Sequence, residues 1–139
     1  MKFPSREWCE TAAVSLLREP RVTAAIADFG PALWGLVIER GGTLKSDFCV
    51  LARIEPGKPA QLSYPEDEDE LEDYEPDYVG WVAYPVCKAL LQSARPDPLK
   101  AILEGKVRVK GDFQRLVRHA GKHQGAGLEA LRALATEFV

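Results

Sequence analysis

His119 and His123 stand four residues apart, the separation at which two imidazoles on one helical face can share a metal ion. A third ligand is missing nearby. Asp112 lies seven residues before His119, about 10 Å away along a helix, and it is wanted as that helix's N-cap. No metal is therefore expected, and the two histidines read as additions to a basic flank. No serine sits in a glycine-flanked nucleophile elbow, and neither histidine has a sequence neighbour that suggests a triad. Cys9 could be activated near a helix start, but the adjacent Trp8 and a core-facing position favour an inert thiol. Neither a G-x-G-x-x-G nor a Walker pattern occurs, so no phosphate cradle and no cofactor are implied. The chain is not expected to be an enzyme.

Nine of the 21 acidic residues fall between Glu66 and Asp77, and no Lys or Arg interrupts them. An EF-hand calcium loop needs glycine at its sixth position, and Glu66 to Glu75 contains none. The run is expected to be an inserted, solvated loop over about 65–77, held out of the core by self-repulsion. It would repel phosphate, and the basic residues elsewhere are scattered, so no nucleic-acid partner is expected.

These groups need elements to position them. A length of 139 residues fits one domain over 1–139, and 46% hydrophobic with 28% charged residues suits a globular chain with a true core. The longest apolar stretch, Leu33 to Ile38, is far short of the roughly 20 residues of a membrane span, and the first 20 residues lack a signal-like apolar centre. No transmembrane segment is expected, and at most transient membrane contact. Cys9, Cys49 and Cys87 show no paired metal-ligand spacing and read as reduced thiols of a cytoplasmic protein.

Ser5 and the stripe Trp8, Ala12, Ala13, Leu16 and Leu17 predict a capped helix over about 5–18, closed by Pro20. Leu33–Ile38 and Thr43–Ile54 read as a hairpin through Gly41-Gly42, followed by strands over 60–64 and 78–83. A short helix follows Pro85; Asp97-Pro98 opens another, which Gly105 ends. Lys106 to Lys110 alternates as a half-buried strand. Asp112 caps a helix bearing Phe113, Leu116, Val117 and Ala120, and a hinge at Gly125 to Gly127 precedes a terminal helix bearing Leu128, Leu131, Leu134, Ala135 and Phe138. The order predicts an α+β fold, a mostly antiparallel sheet with helices over one face. The wide apolar stripes of the last helices suggest a lid over an oily interior.

The segment Asp97-Pro98-Leu99-Lys100-Ala101-Ile102-Leu103-Glu104-Gly105-Lys106-Val107-Arg108-Val109-Lys110-Gly111-Asp112 resembles the core signature of the sterol carrier protein type 2 superfamily. That signature is a short helix ending in Gly-Lys, an alternating strand, then Gly-Asp opening an apolar helix. Phe3-Pro4-Ser5-Arg6-Glu7-Trp8-Cys9 also looks like the opening of small stand-alone bacterial members. The resemblance implies a five-stranded sheet with helices over one face, enclosing a hydrophobic cavity for a sterol, fatty acid, acyl-CoA or phospholipid, without catalytic residues. It places Leu99, Ile102, Leu103, Phe113, Leu116 and Val117 against the cavity or core, and Leu131, Leu134 and Phe138 on a closing helix. The acidic run is not a family hallmark. The ending Glu137-Phe138-Val139 lacks a Ser-Lys-Leu peroxisomal address, which again favours the cytoplasm. The alternative is a noncatalytic interaction module with a self-filled core, recruiting a partner through the acidic loop or an apolar surface. A partner enzyme or a homodimer stays open.

Overall fold

The branched and aromatic runs pair at the centre of one sheet. The computed structural model describes residues 1–139. In chain order the elements are β1 (Lys2–Phe3), α1 (Arg6–Leu16), α2 (Pro20–Phe29), β2 (Ala32–Glu39), β3 (Phe48–Ile54), β4 (Gln61–Ser63) and α3 (Glu68–Asp73). They continue with β5 (Tyr78–Ala83), α4 (Tyr84–Gln92), α5 (Pro98–Leu103), β6 (Val107–Lys110), α6 (Phe113–His123), α7 (Ala126–Leu131) and β7 (Glu137–Phe138). Five strands lie in the order β4-β3-β2-β5-β6. All neighbours are antiparallel except β2 and β5, which are parallel because the chain crosses over through α3 before re-entering the sheet. The mostly antiparallel α+β architecture is the expected one.

The caps that the sequence signals are in place. Ser5 Oγ accepts from Trp8 N at 3.1 Å, Asp97 Oδ1 from Lys100 N at 2.9 Å and Asp112 Oδ1 from Arg115 N at 3.2 Å. Gly105 adopts φ 75°, as a residue ending a helix in the left-handed region should.

Three segments differ from expectation. Pro20 does not only end a helix; it occupies the first turn of α2, where its missing N–H has no helical partner to lose. The stripe Val22, Ala25 and Phe29 is then buried.

The acidic run is also not a loop. Residues Glu68–Asp73 form α3, with Asp67 Oδ1 accepting from Glu70 N at 2.8 Å and three acids in the first turn, where the helix dipole favours negative charge. Charge repulsion is overcome by one apolar anchor: Leu71 is 0% exposed and packs with Val37, Cys49, Leu51 and Val79. So α3 covers the sheet face opposite the other helices. Gly35 permits the approach, since a Cβ there would lie 2.8 Å from Leu71 Cδ2. Glu68 Oε1 accepts from Trp81 Nε1 at 2.9 Å, and Glu72 lies 3.8 Å from Lys110 Nζ.

The terminal helix, finally, stops at Leu131, and Glu137–Phe138 become β7, parallel to β1. Glu137 N donates to Met1 O at 2.7 Å, and the Phe138 ring meets Phe3 edge-on at 5.8 Å. Trp8 Nε1 donates to Thr136 Oγ1 at 2.9 Å, and Tyr84 Oη to Val139 O at 2.8 Å. A segment bonded this way to the N-terminal strand cannot serve as a hinged helical lid.

Replacing Leu71 with alanine is expected to destabilise the fold by about 2–5 kcal/mol in urea denaturation, the range for deleting a buried leucine. A change below about 0.5 kcal/mol, as at an ordinary surface position, would show that α3 does not anchor the sheet.

Candidate functional site

Side chains alternate across each strand, so β2 presents Trp34 and Leu36 to the helical side of the sheet and Gly35 and Val37 to α3. Register sets small residues beside the large ones. Trp34 pairs with Ala52 on β3, and Leu36 with Gly80 on β5. Facing them across the interior, α1 contributes Ala12 and Ala13. Small residues on the sheet floor and on the facing helix leave a chamber of about 420 Å³, and 17 of its 19 lining residues are hydrophobic. Trp8, Tyr78, Leu116 and Leu131 frame it, and Ala60 and Leu62 carry it towards the β4 edge. It is nearly three times the ~150 Å³ apolar cavity that stays dry and admits benzene, and lies within the roughly 300–1,000 Å³ of small-molecule pockets.

A second cavity of about 310 Å³ lies between α2, α6 and α7 and shares Trp34 and Ile54 with the first. Trp34 stacks on Tyr78 at 4.7 Å between ring centres and meets Phe29 at 4.9 Å, making an aromatic partition between the two spaces.

Of the nine residues singled out in the sequence, Leu116 and Leu131 line the larger chamber. Leu99 packs instead over Gly121 on α6, its Cδ2 about 3.7 Å from where a Cβ would stand. Ile102 and Val117 are half-buried outside the chamber, while Leu103 and Phe113 are 64% and 46% exposed. Leu134 and Phe138 pack on the Phe3–Trp8 core and border a separate space of about 270 Å³ with Leu91. Sequence reasoning follows wide apolar stripes, but on these helices part of each stripe packs against neighbouring elements and part, at Leu103 and Phe113, faces solvent. The walls come mainly from α1 and the sheet. Their legible signal is small residues on apolar faces, Ala12-Ala13, Ala52 and Gly80.

The thiols around this core are held protonated. Burial, with Glu10 adding, pushes Cys9 at the chamber wall up to about 11, and burial with Cys9 adding pushes Cys87 up to about 12. Burial likewise raises Cys49 to about 11. None is an activated nucleophile.

At the far end of the second cavity His119 and His123 meet a carboxylate. The third group that α6 could not supply comes from α2, as Asp28, whose Oδ2 lies 3.0 Å from His123 Nε2. His123 and Lys122 hold the Asp28 carboxyl below its ordinary range.

No protein-family model matches the sequence, and no curated protein matches it. Solved structures do. A conserved hypothetical protein from Thermus thermophilus, itself a candidate sterol carrier protein, superposes with a TM-score of 0.72 at 14% identity, covering 96% of this chain and 90% of that one. A crystal structure of sterol carrier protein 2 superposes with a TM-score of 0.71 at 17% identity, covering 94% and 98%. The chain has the sterol carrier protein 2 fold. A UbiJ-SCP2 ubiquinone synthesis protein shares this fold at a TM-score of 0.53 and 14% identity, over 89% of this chain and 95% of its own.

Within this sterol carrier protein 2 fold, the thiols offer a direct check on how well the core is shielded. Maleimide labelling of Cys9 and Cys87 is expected to be slow at neutral pH and to rise with pH without levelling below about pH 10, because thiolate forms only as their raised values are approached. A plateau near pH 8.5, the free-cysteine value, would show instead that water reaches them.

Proposed function

We propose that this chain is a noncatalytic binding or carrier protein that holds an apolar, lipid-like small molecule in the chamber between α1 and the sheet. The single observation that carries this reading is the chamber itself, about 420 Å³ with 17 apolar residues among its 19. A lining of that kind offers burial without directional demands. Each methylene transferred from water contributes about 0.8 kcal/mol, so a sixteen-carbon chain brings on the order of 12 kcal/mol before ordering and association costs. A fatty acid, acyl-CoA, sterol or phospholipid all meet that requirement.

The fold supports the same class of ligand by analogy with its structural neighbours. No helix is long and apolar enough to cross a membrane. With three unpaired thiols, a reducing cytoplasmic setting suits the chain, and any partner enzyme would receive the ligand from it. An interaction module with a self-filled core fits a hollow interior poorly.

Native mass spectrometry after mild purification, and displacement of a fluorescent fatty acid, test the proposal. Filling the chamber with Ala13→Phe and Ala52→Phe is expected to weaken displacement at least tenfold while stability changes by no more than the ~1–3 kcal/mol of overpacking. Absence of bound lipid together with no displacement at micromolar ligand, or undiminished affinity in the filled variants, would sink it.

A further inference from the structure

We propose that Asp28, His119 and His123 form a divalent transition-metal site of the zinc class, tying α2 to α6 along the wall of the smaller cavity. The proposal stands apart from lipid binding. One donor atom from each residue lies within 4.8 Å of the others. Zinc bonds of about 2.0–2.2 Å in tetrahedral geometry put ligand atoms roughly 3.4 Å apart, so side-chain rotation on the order of 1 Å closes the set. Two imidazoles and one carboxylate suit zinc, cobalt or nickel better than magnesium or calcium, which prefer oxygen.

His119 is anchored to the backbone of α2. Its Nε2 lies 2.9 Å from Ala25 O. A carbonyl only accepts, so Nε2 donates there and Nδ1 is the nitrogen left to bind an ion. Metal-ligating histidines are held in this way, by a backbone carbonyl on the nitrogen that does not bind the ion. Phe29 meets the ring edge-on at 5.0 Å and 85°, which fixes its plane. The remaining contact, His123 Nε2 to Asp28 Oδ2 at 3.0 Å, is the one an ion would take over, Oδ2 and Nε2 both binding the metal with the imidazole hydrogen carried on Nδ1. Three protein ligands leave a fourth position for water or an added ligand.

The neighbouring cations oppose the ion and bound its affinity. Lys122 Nζ is 3.3 Å from Asp28 Oδ1, but its side chain is 66% exposed and free to swing into solvent. Arg115 is committed elsewhere, donating to Phe29 O with its guanidinium 4.3 Å from the Phe29 ring centre. Affinity is accordingly expected in the micromolar range.

Chelator-treated full-length protein is titrated with cobalt chloride and zinc chloride. The visible bands of four-coordinate cobalt should develop at one equivalent, and excess zinc should raise Tm by several degrees while magnesium at equal concentration does not. Asp28→Asn keeps side-chain shape and His123→Gln keeps a polar group of similar reach, and each should weaken metal binding at least tenfold. Either alone carries the test if the other misfolds. Ala13→Phe with Ala52→Phe, which fills the lipid chamber, should leave the metal response intact. Absence of cobalt bands and of a zinc shift, a response undiminished in both ligand variants, or near-ultraviolet charge transfer placing the ion on a cysteine would each overturn the proposal.

Discussion

Both faces of the central sheet are apolar, and each has to be shielded from water by a different amount of protein. On one side a six-residue helix does this with a single leucine, closing directly on the glycine of β2. On the other, the longer helices are held off by aromatic side chains, and the small residues between those props leave space unfilled. The interior is hollow where the large residues sit at the margins and the alanines and glycine sit in the middle. Cavities normally cost stability, and a few buried methyl groups in the chamber would be the simplest remedy. Keeping the space open is therefore the feature around which the rest is organised.

Stability is recovered elsewhere. The chain ends meet in the β1–β7 pair, with Phe3, Trp8, Tyr84 and Phe138 forming a dense aromatic knot beside the hollow region. Phe3 and Trp8 pack edge-on with ring centres 4.6 Å apart, and the indole N–H and the Tyr84 hydroxyl both find acceptors near the end of the chain. Close packing at one end lets the other end remain loose.

Much of the architecture is legible because the deciding residues are local. Ser5, Asp97 and Asp112 announce three helix starts, and Lys106 to Lys110 shows strict alternation. What is not legible depends on contacts between distant segments. Leu71 looks like a stray apolar residue in a charged run until the bare backbone of Gly35 is placed beneath it. Thr136 to Phe138 continues a helical stripe until an unpaired strand at residues 2–3 offers hydrogen bonds. Asp28 is an ordinary surface acid until α2, hidden behind Pro20, brings it to α6. The chamber walls escape the sequence for a related reason. A cavity is signalled by what is small as much as by what is greasy, and apolar periodicity reports only the second.

The Trp34 ring has a consequence of its own. It borders both hollow spaces, stacked on Tyr78 and tilted against Phe29, so the boundary between them is one side chain thick. Ile54 is common to both linings as well, so a change in side-chain volume at either residue would alter the two spaces together.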